Sequence, residues 1–383
     1  MEITGIICEY NPLHLGHKKQ LDTLRRQLGD DQGIVCLMSG DFVQRGAPAI
    51  VDKMSRAKAA ILSGADLVLE LPVTAALSSA EGFAAGGVGI LSGFCHSLCF
   101  GAETPDPARL MGAARALLSP DFSPALHDQL DQGKSFPAAR AGALEAMGLN
   151  GGILRAPNNI LAVEYCKAIL AQNSPMTPLP ILREGGYHDR EVNDENPSAT
   201  AVRALMIQSG AWLDYVPPAA RPAFQNAVFH SKEAGERAIL ARLRTLSEPE
   251  FQALPYGSEG LWRKLMHAVR EEAALEEIAQ AVKSKRYTRT RIDRMILCAF
   301  LGLTQQDLEA PIPYTRVLAF NDRGRDILKT ARESGEFPNI GEKMDHPYQA
   351  IENRCGDLYG LFAQQEPEKP GQAARSRVYC HKG

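Results

Sequence analysis

Two patterns of apolar residues alternate along the first half of the chain. Segments predicted to be strands occupy residues 3–8, 33–39, 65–71, 96–101 and 177–184, and the continuous apolar run at 33–39 is typical of a strand buried on both faces. Between these segments, apolar residues recur at the three- and four-residue spacing of helices. Strands that alternate with helices usually pack as a parallel sheet with right-handed crossovers. The pattern therefore predicts an α/β fold with a Rossmann-like parallel sheet.

The second half of the chain is predicted to be mainly helical. Trp262, Leu265, Met266 and Val269 form one helical apolar stripe. A proline-rich stretch at residues 212–222 indicates a boundary. We therefore expect an α/β domain over residues 1–210, a mainly helical domain over residues 225–366 and a loose polar tail over residues 367–383.

Composition narrows the class of protein only a little. The 383 residues are 45% hydrophobic and 23% charged, as in ordinary soluble proteins, and no apolar run reaches the ~20 residues that span a membrane. A net charge of −3 requires any nucleic-acid site to be a local patch. The eight scattered cysteines and the lack of a recognisable signal peptide favour the cytoplasm. Cys95 and Cys99 flank a histidine but lack a second pair at zinc-site spacing, so no tightly bound metal is predicted.

The candidate chemistry lies between the first strand and the first helix, in the loop Glu9-Tyr10-Asn11-Pro12-Leu13-His14-Leu15-Gly16-His17. Unpaired N–H groups at a helix start attract anions, and Gly16 permits close approach of a ligand. His14 and His17 are three residues apart and share one helical face. Open α/β sheets bind ligands at the carboxyl ends of their strands. The loop therefore predicts a phosphate site in which both histidines stabilise charge that grows during a reaction. The alternative is two surface histidines beside a turn.

A basic run near residue 290 is the second candidate. Residues 283–294 hold six cations and one acid, and Ile292, Ile296 and Ala299 continue the run as an amphipathic helix. A tyrosine among the cations offers a surface on which an unpaired base could stack. One interpretation, which the family resemblance described below favours, is contact with an RNA through Lys283, Lys285, Arg286, Tyr287, Arg289, Arg291 and Arg294. The alternative is a set of long, solvated charges on an ordinary helix.

The His-x-Gly-His loop resembles the mark of the nucleotidyltransferase superfamily, in which two histidines contact ATP phosphates. A second mark of that superfamily is a Ser-Ser-Thr-x-x-Arg helix start, which Ser198-Ala199-Thr200-Ala201-Val202-Arg203 resembles with Ala199 replacing the second serine. A narrower resemblance, to the tRNA(Met) cytidine acetate ligases, runs along nearly the whole chain. It rests on the Glu9–His17 loop and on Met38-Ser39-Gly40-Asp41-Phe42-x-Gln44-Arg45-Gly46, Phe100-Gly101, Pro157-Asn158-Asn159-Ile160-Leu161, Tyr187-His188-Asp189 and Lys285-Arg286-Tyr287-Thr288-x-x-Arg291-Ile292.

The resemblance implies a fold of the HxGH nucleotidyltransferase type and a specific reaction. ATP would activate acetate as acetyl-adenylate, and the acetyl group would then pass to N4 of the wobble cytidine of elongator tRNA(Met). Magnesium is expected to arrive with ATP. The implied ATP-binding residues are Ile7, Cys8, Glu9, Tyr10, Asn11, Pro12, Leu13, His14, Leu15, Gly16, His17, Lys18, Lys19, Gln20, Gly101, Asn158, Arg183, Ser198, Thr200 and Arg203.

Asp41 is a third catalytic candidate beside the two histidines. It lies on a polar loop after the second strand, at the ligand-binding side of such a sheet. We hypothesise that it positions the cytidine amine or takes its proton; the alternative is a turn residue after Gly40. The nearby run Asp52-Lys53-Met54-Ser55-Arg56 superficially resembles the Lys-Met-Ser-Lys-Ser loop of class I tRNA synthetases, but it falls early, within a helical pattern, so we interpret it as coincidence.

Two other functions remain open from the sequence. A nucleotidyltransferase that adenylylates a small phosphate-bearing metabolite would share His14 and His17, although it would leave the helical half unexplained. A non-catalytic tRNA-binding protein would have no use for an intact His-x-Gly-His loop.

Overall fold

The strands predicted in the first half of the chain all form, and they lie side by side in one sheet. In this computed structural model, residues 1–183, 198–208, 210–284 and 286–382 are described. The strands in chain order are β1 (Ile3–Cys8), β2 (Gly33–Ser39), β3 (Phe42–Val43), β4 (Ala47–Pro48), β5 (Leu67–Leu71), β6 (Ser97–Ala102), β7 (Thr177–Leu182), β8 (Val317–Phe320) and β9 (Tyr379–Cys380).

Helices follow most strands in the first half and dominate the second half. They are α1 (Leu15–Leu28), α2 (Lys53–Leu62), α3 (Val73–Ala76), α4 (Ala80–Leu91), α5 (Pro107–Leu118), α6 (Phe122–Asp131), α7 (Phe136–Ala146), α8 (Pro157–Ala171), α9 (Ala199–Ile207), α10 (Glu236–Thr245), α11 (Glu248–Gln252), α12 (Leu261–Glu271), α13 (Leu275–Val282), α14 (Arg289–Leu301), α15 (Gln305–Glu309), α16 (Asp322–Ala331), α17 (Tyr348–Tyr359) and α18 (Gln372–Arg375). Within the described ranges, no helix is both long and apolar enough to cross a membrane.

The seven-stranded sheet has the order β7-β6-β1-β2-β5-β8-β9. The first five of these strands are mutually parallel, as the sequence predicted. The chain leaves β1 for β2 on one side and later places β6 on the other side. The strand order therefore reverses at β1, and the crevice at its carboxyl end is where such sheets bind ligands.

The predicted loose tail is wrong in part, because the end of the chain returns to the sheet. β8 pairs antiparallel with β5, and β9 pairs parallel with β8 through Ala319–Tyr379 and Phe320–Cys380. A two-residue strand at a sheet edge needs only backbone pairing and no apolar pattern. The polar, Pro/Gly-containing sequence around β9 therefore gave no indication of a strand. β8 has only four residues, too few for a periodic signal. The mainly helical second half thus adds two strands to the α/β sheet.

The apolar side chains form three clusters that follow from the two periodicities. Alternate residues of a strand face opposite sides, so Ile3 and Val35 pack in one cluster, whereas Ile6 and Cys36 pack in another on the opposite face of the sheet. The third cluster joins α10, α12, α13, α14 and α17. Phe42 of β3 belongs to this third cluster, so the β3–β4 hairpin is packed against the helical region.

A buried arginine connects the loops at the carboxyl ends of β1 and β2. Arg56 of α2 has no exposed surface. Its Nη1 donates to the carbonyl oxygens of Glu9 (2.7 Å) and Ser39 (2.9 Å), its Nε donates to Val51 O (2.8 Å), and its Nη2 donates to Gly40 O. Carbonyl groups that leave a sheet in a buried place need such partners. One side chain thus fixes the loop that follows β1 relative to the loop that follows β2.

Replacing Arg56 with methionine should therefore destabilise the fold strongly. The side chain would keep much of its length but lose every donor, and each buried acceptor left unpaired costs ~1–3 kcal/mol. We expect the free energy of unfolding in urea to fall by about 3 kcal/mol or more for Arg56→Met. The exposed Arg115 of α5 is the control, and Arg115→Met should change the free energy by less than ~0.5 kcal/mol. Equal effects of the two substitutions would contradict this account.

Candidate active site

The two histidines form the start of α1. His14 is the N-cap, and its Nδ1 accepts a hydrogen bond from Gly16 N (3.1 Å). The Nδ1 of His17 accepts a hydrogen bond from His14 N (3.3 Å), which completes a capping box. The ring centroids lie 3.8 Å apart, so the predicted shared face is confirmed. Because each Nδ1 accepts a backbone N–H, the proton of each neutral ring is on Nε2.

Burial keeps both imidazoles neutral. His14 is only 2% exposed. Burial, with smaller effects of Arg183 and Arg203, lowers the pKa of His14 to about 3. Burial, then the neighbouring His14 and Arg183, also lowers the pKa of His17 well below its usual value. The buried Nε2 of His14 has no hydrogen-bond partner in the described part of the chain. A buried donor without an acceptor is costly, which points to an acceptor supplied by a ligand.

A cavity of about 370 Å³ opens at the carboxyl end of β1, beside the two histidines. Many of the predicted nucleotide residues line it, although they are far apart in the sequence. They are Ile7, Cys8, Glu9, Tyr10, Asn11, His17, Gln20, Gly101, Asn158, Arg183, Thr200 and Arg203.

The remaining predicted nucleotide residues are not in its lining. Leu13 is fully buried in the core, and Lys18 pairs with Asp22 along α1. Ser198 is the N-cap of α9, where its hydroxyl oxygen accepts from Ala201 N (3.0 Å). The others outside the lining are Pro12, His14, Leu15, Gly16 and Lys19.

The start of α9 is held directly against the histidine loop. The Nη1 of Arg203 donates to Asn11 O (2.7 Å), and its Nη2 donates to the hydroxyl of Thr200 (3.2 Å). The side-chain Oδ1 of Asn11 accepts from Ile50 N (2.7 Å). The bond between Asn11 and Arg203, which are 192 residues apart, brings the two sequence marks to the same end of the sheet. Tyr187-His188-Asp189, the motif between them, lies outside the described residues.

Glu103 orients Asn158 at the far side of the cavity. Its carboxylate accepts from the N–H groups of Asn158 (3.2 Å) and Asn159 (2.7 Å) and from Asn158 Nδ2 (2.8 Å). A carboxylate is favourable at this helix start because the α8 dipole is positive there. Asn158 Oδ1 in turn accepts from Arg183 Nη1 (3.0 Å). The sequence analysis missed Glu103, since nothing local marks an acid that caps a helix about 55 residues later.

Part of the cavity wall comes from segments that the sequence analysis did not assign to the site. Residues 43–45 and 47–48 of the hairpin line it, as do residues 230–233 from beyond the expected domain boundary. Lys232 reaches the helical region, where its Nζ lies 2.5 Å from Asp293 Oδ1 of α14. No residue pattern marks this segment, because only tertiary packing brings it to β1. The cavity is thus bounded by both halves of the chain.

Asp41 is placed away from the cavity lining. Its carboxylate lies 3.1 Å from Lys53 Nζ, which also donates to Glu70 Oε1 (2.7 Å). Burial opposes the charge on Lys53, but the carboxylates of Asp41 and Glu70 outweigh it and raise its pKa. Burial also raises the pKa of Glu70. Asp41 is therefore ion-paired with Lys53 at the start of the loop that leads to the β3–β4 hairpin, and it does not line the cavity.

The basic run near residue 290 is only partly available to a ligand. Arg289 binds Glu276 through two bonds and Asp293 through one. Arg291 donates to Tyr256 O (2.9 and 3.2 Å), and Arg294 donates to Gln44 O (3.3 Å).

Tyr287 does not offer the predicted stacking surface. It is 8% exposed, and its hydroxyl donates to Glu259 O (3.0 Å). Lys283 and Arg286 are exposed, whereas Lys285 lies outside the described residues. The sequence showed the charges of this run but not most of their partners, because Glu276, Tyr256 and Gln44 lie outside the run. Apart from Arg286, whose ion pair with Glu259 is solvent-exposed, the described arginines of the run hold the helical region together.

The chain belongs to the HIGH nucleotidyltransferase family, whose model matches residues 1–373. Within that family it belongs with the tRNA(Met) cytidine acetate ligases, which confirms the resemblance found in the sequence. It is 38% identical to the tRNA(Met) cytidine acetate ligase of Clostridium novyi, over 88% of this chain and 89% of that protein. It is 36% identical to the ligase of the same name from Clostridium acetobutylicum, over 92% of each.

Solved structures agree with this assignment. The apo crystal structure of Thermotoga maritima TmcAL is 28% identical, with a TM-score of 0.90 over the whole of both chains. A second crystal structure of that protein, bound with alpha-thio ATP, is 29% identical with a TM-score of 0.87 over the whole of both chains. The α/β fold of the HxGH nucleotidyltransferase type is therefore confirmed.

The neutral, buried His14 predicts a specific pH dependence of stability. The folded pKa of His14 is about 3, below the ~6.5 of an unfolded histidine, so the unfolded chain binds more protons between these values. Stability should therefore fall as pH decreases below ~6.5, by roughly 2 kcal/mol for His14 between pH 7 and pH 5. Urea unfolding of His14→Asn, which keeps a good N-cap residue, should show a smaller loss over this interval. Parallel curves for the two proteins would refute the assignment.

Proposed function

We propose that this protein is an ATP-dependent ligase that activates acetate as acetyl-adenylate and acetylates N4 of the wobble cytidine of elongator tRNA(Met). The observation that carries the proposal is the buried, neutral His14, whose Nε2–H lacks an acceptor at the carboxyl end of β1. The names of its relatives and the ATP analogue bound to the Thermotoga protein support the same reaction. We further propose that it works in the cytoplasm.

The first half-reaction joins acetate to the α-phosphate of ATP. A carboxylate oxygen of acetate attacks the α-phosphorus, the bond from that phosphorus to the bridging oxygen of the β-phosphate breaks, and pyrophosphate leaves. Negative charge grows on the phosphate oxygens in the transition state, and preorganised donors stabilise it. We assign this task to the Nε2–H groups of His14 and His17. Arg203, held at the same loop by Asn11 O, adds a cation.

The second half-reaction forms the amide. The N4 amine of cytidine attacks the acetyl carbonyl, the bond from that carbon to the AMP oxygen breaks, AMP leaves and the amine proton passes to water. This amine is a weak nucleophile, so close positioning against the carbonyl supplies much of the rate. A cavity bounded by both halves of the chain suits this step, because the helical region can hold the RNA while the sheet holds the adenylate.

We propose that residues lining the cavity hold the nucleotide. We assign the phosphates to residues 7–20, from the end of β1 to the start of α1, with Thr200 and Arg203, and the rest of ATP to Gly101, Asn158 and Arg183. The histidines and arginines here do not form a magnesium cage, and the described part of the chain holds no group of three or more residues suited to a metal. Magnesium would arrive on the phosphates with its own waters, as it does in many ATP sites.

His14→Asn and His14→Ala separate catalysis from helix capping. Either substitution removes the Nε2 donor and should lower acetate-dependent exchange of ATP with labelled pyrophosphate by ~10²–10³-fold. Asparagine is a good N-cap residue and alanine is not. His14→Ala should therefore be about 1 kcal/mol less stable than His14→Asn. Label from acetate should reach cytidine in tRNA with the wild type. Label that reaches a small metabolite, or exchange that persists in both variants, would contradict the proposal.

Asp41 offers a test of positioning against catalysis. We propose that its pair with Lys53 holds the loop before the hairpin, so Asp41→Asn should reduce pyrophosphate exchange and acetyl transfer by one similar, small factor. It should also lower stability by about 2 kcal/mol, since a buried charged partner is lost. A residue that takes the amine proton would behave differently: transfer alone would fall by ~10²-fold or more. That result would return Asp41 to the catalytic role.

A further inference from the structure

Helix α12 presents an exposed row of cations. Leu261, Leu265, Met266 and Val269 face the apolar core of the helical region, so the opposite face must lie in solvent. The exposed residues on that face are Arg263, Lys264, His267, Arg270 and Glu271. Residues 263, 267 and 270 follow one another at helical spacing of four and three, which places them in one stripe. The face thus carries three cations, one histidine and one acid.

Within the described part of the chain, the arginines and lysine of this face have no acidic partner, unlike Arg289 of α14. Arg289 is engaged by two carboxylates, Glu276 and Asp293. Among the described residues, no carboxylate is within ion-pair distance of Arg263, Lys264 or Arg270. The guanidinium of Arg263 lies 4.9 Å from the ring centroid of its neighbour Trp262. An anion could therefore approach these side chains without displacing an acid.

The exposed members of the predicted basic run lie beside α12. Lys264 Nζ donates to Val282 O (3.1 Å), which places Lys283 next to the helix. Arg286 pairs with Glu259, just before α12 begins, in a solvent-exposed bridge of 3.0 Å. Exposed pairs of this kind are worth ~0–1 kcal/mol, so phosphate can readily replace the acid. We call Arg263, Lys264, His267, Arg270, Lys283 and Arg286 together the α12 basic face.

Packing connects this face to the wall of the ATP cavity. Arg294 donates to Gln44 O (3.3 Å), and Gln44 lines the cavity. The guanidinium of Arg294 lies 5.0 Å from the ring centroid of Tyr256, in the segment that leads into α12. The helix then extends for 11 residues, or about 16 Å at 1.5 Å per residue. A polynucleotide with one base in the cavity could thus continue along the helix.

We propose that the α12 basic face binds the phosphate backbone of the tRNA that accepts the acetyl group. The inference rests on the proposed function, because it supplies the RNA contact that the proposed reaction requires. The chain as a whole is slightly acidic, with a net charge of −3, so a polyanion must be met by a local patch. Phosphate contacts through lysine and arginine give affinity and orientation, while the cavity selects the base. The described arginines of α14 support this surface from behind.

The test compares tRNA binding by Arg263→Gln/Arg270→Gln with binding by Arg109→Gln/Arg115→Gln. The control pair is equally charged, exposed on α5 and outside the cavity lining. Titrations at several salt concentrations should show the dissociation constant of the α12 variant raised roughly tenfold near 0.15 M salt. The slope of log K against log salt should become shallower by about 1.5, since each lost phosphate contact removes ~0.7–0.9. Arg263→Lys/Arg270→Lys should keep the wild-type slope.

Acetate-dependent pyrophosphate exchange distinguishes failure of this inference from failure of the proposed function. Exchange needs no RNA and should be unchanged in all three double variants. If the wild type exchanges and transfers acetate but the α12 variant binds tRNA like the α5 control, the α12 inference is wrong and the ligase function stands. If the wild type shows no exchange, the proposed function itself is wrong. Tight, salt-insensitive binding that the variant retains would likewise exclude a backbone contact at α12.

Discussion

The buried guanidinium of Arg56 holds together the two loops on which the site is built. It lies where β1 and β2 stop pairing, and it donates to carbonyl oxygens of Glu9, Ser39 and Gly40. Without a donor, these buried oxygens would each carry a desolvation cost. Because one planar guanidinium bonds to both strand ends, it fixes the loop that leads to the histidines relative to the loop that leads to the β3–β4 hairpin. The two walls of the cavity depend on that constraint.

The histidines gain their chemistry from the same burial that makes them costly. A pair of exposed imidazoles would titrate near neutral pH and would share their Nε2 protons with water. Here the backbone N–H groups of His14 and Gly16 occupy both Nδ1 atoms, and burial suppresses the charged forms. The result is two fixed donors directed by the helix start, at an end where the helix dipole already favours an anion. In the proposed reaction, the phosphates of ATP would supply the acceptor that His14 Nε2 lacks among the described residues.

The helical second half serves the cavity as well as its own core. Residues 230–233 and the hairpin line part of the cavity, and contacts of Lys232 and Arg294 connect these segments to α14. Arginine has two uses in this region. On α14 it binds carboxylates and carbonyls inside the molecule, whereas on α12 it faces solvent without an acidic partner. The difference separates structural cations from those available to an RNA.

The sequence by itself determined the order of strands and helices in the first half, the His14–His17 face and the family, because these depend on local periodicity, capping and contiguous motifs. The sequence did not predict the two-residue strand β9 or the four-residue strand β8, because strands that short carry no periodic signal. Only the tertiary structure decided that Asp41 pairs with Lys53, that Tyr287 is buried and that residues 230–233 face the cavity. The sequence shows that a residue is charged or aromatic, but not whether its side chain contacts water or a segment 200 residues away. That contact decides the role of the residue.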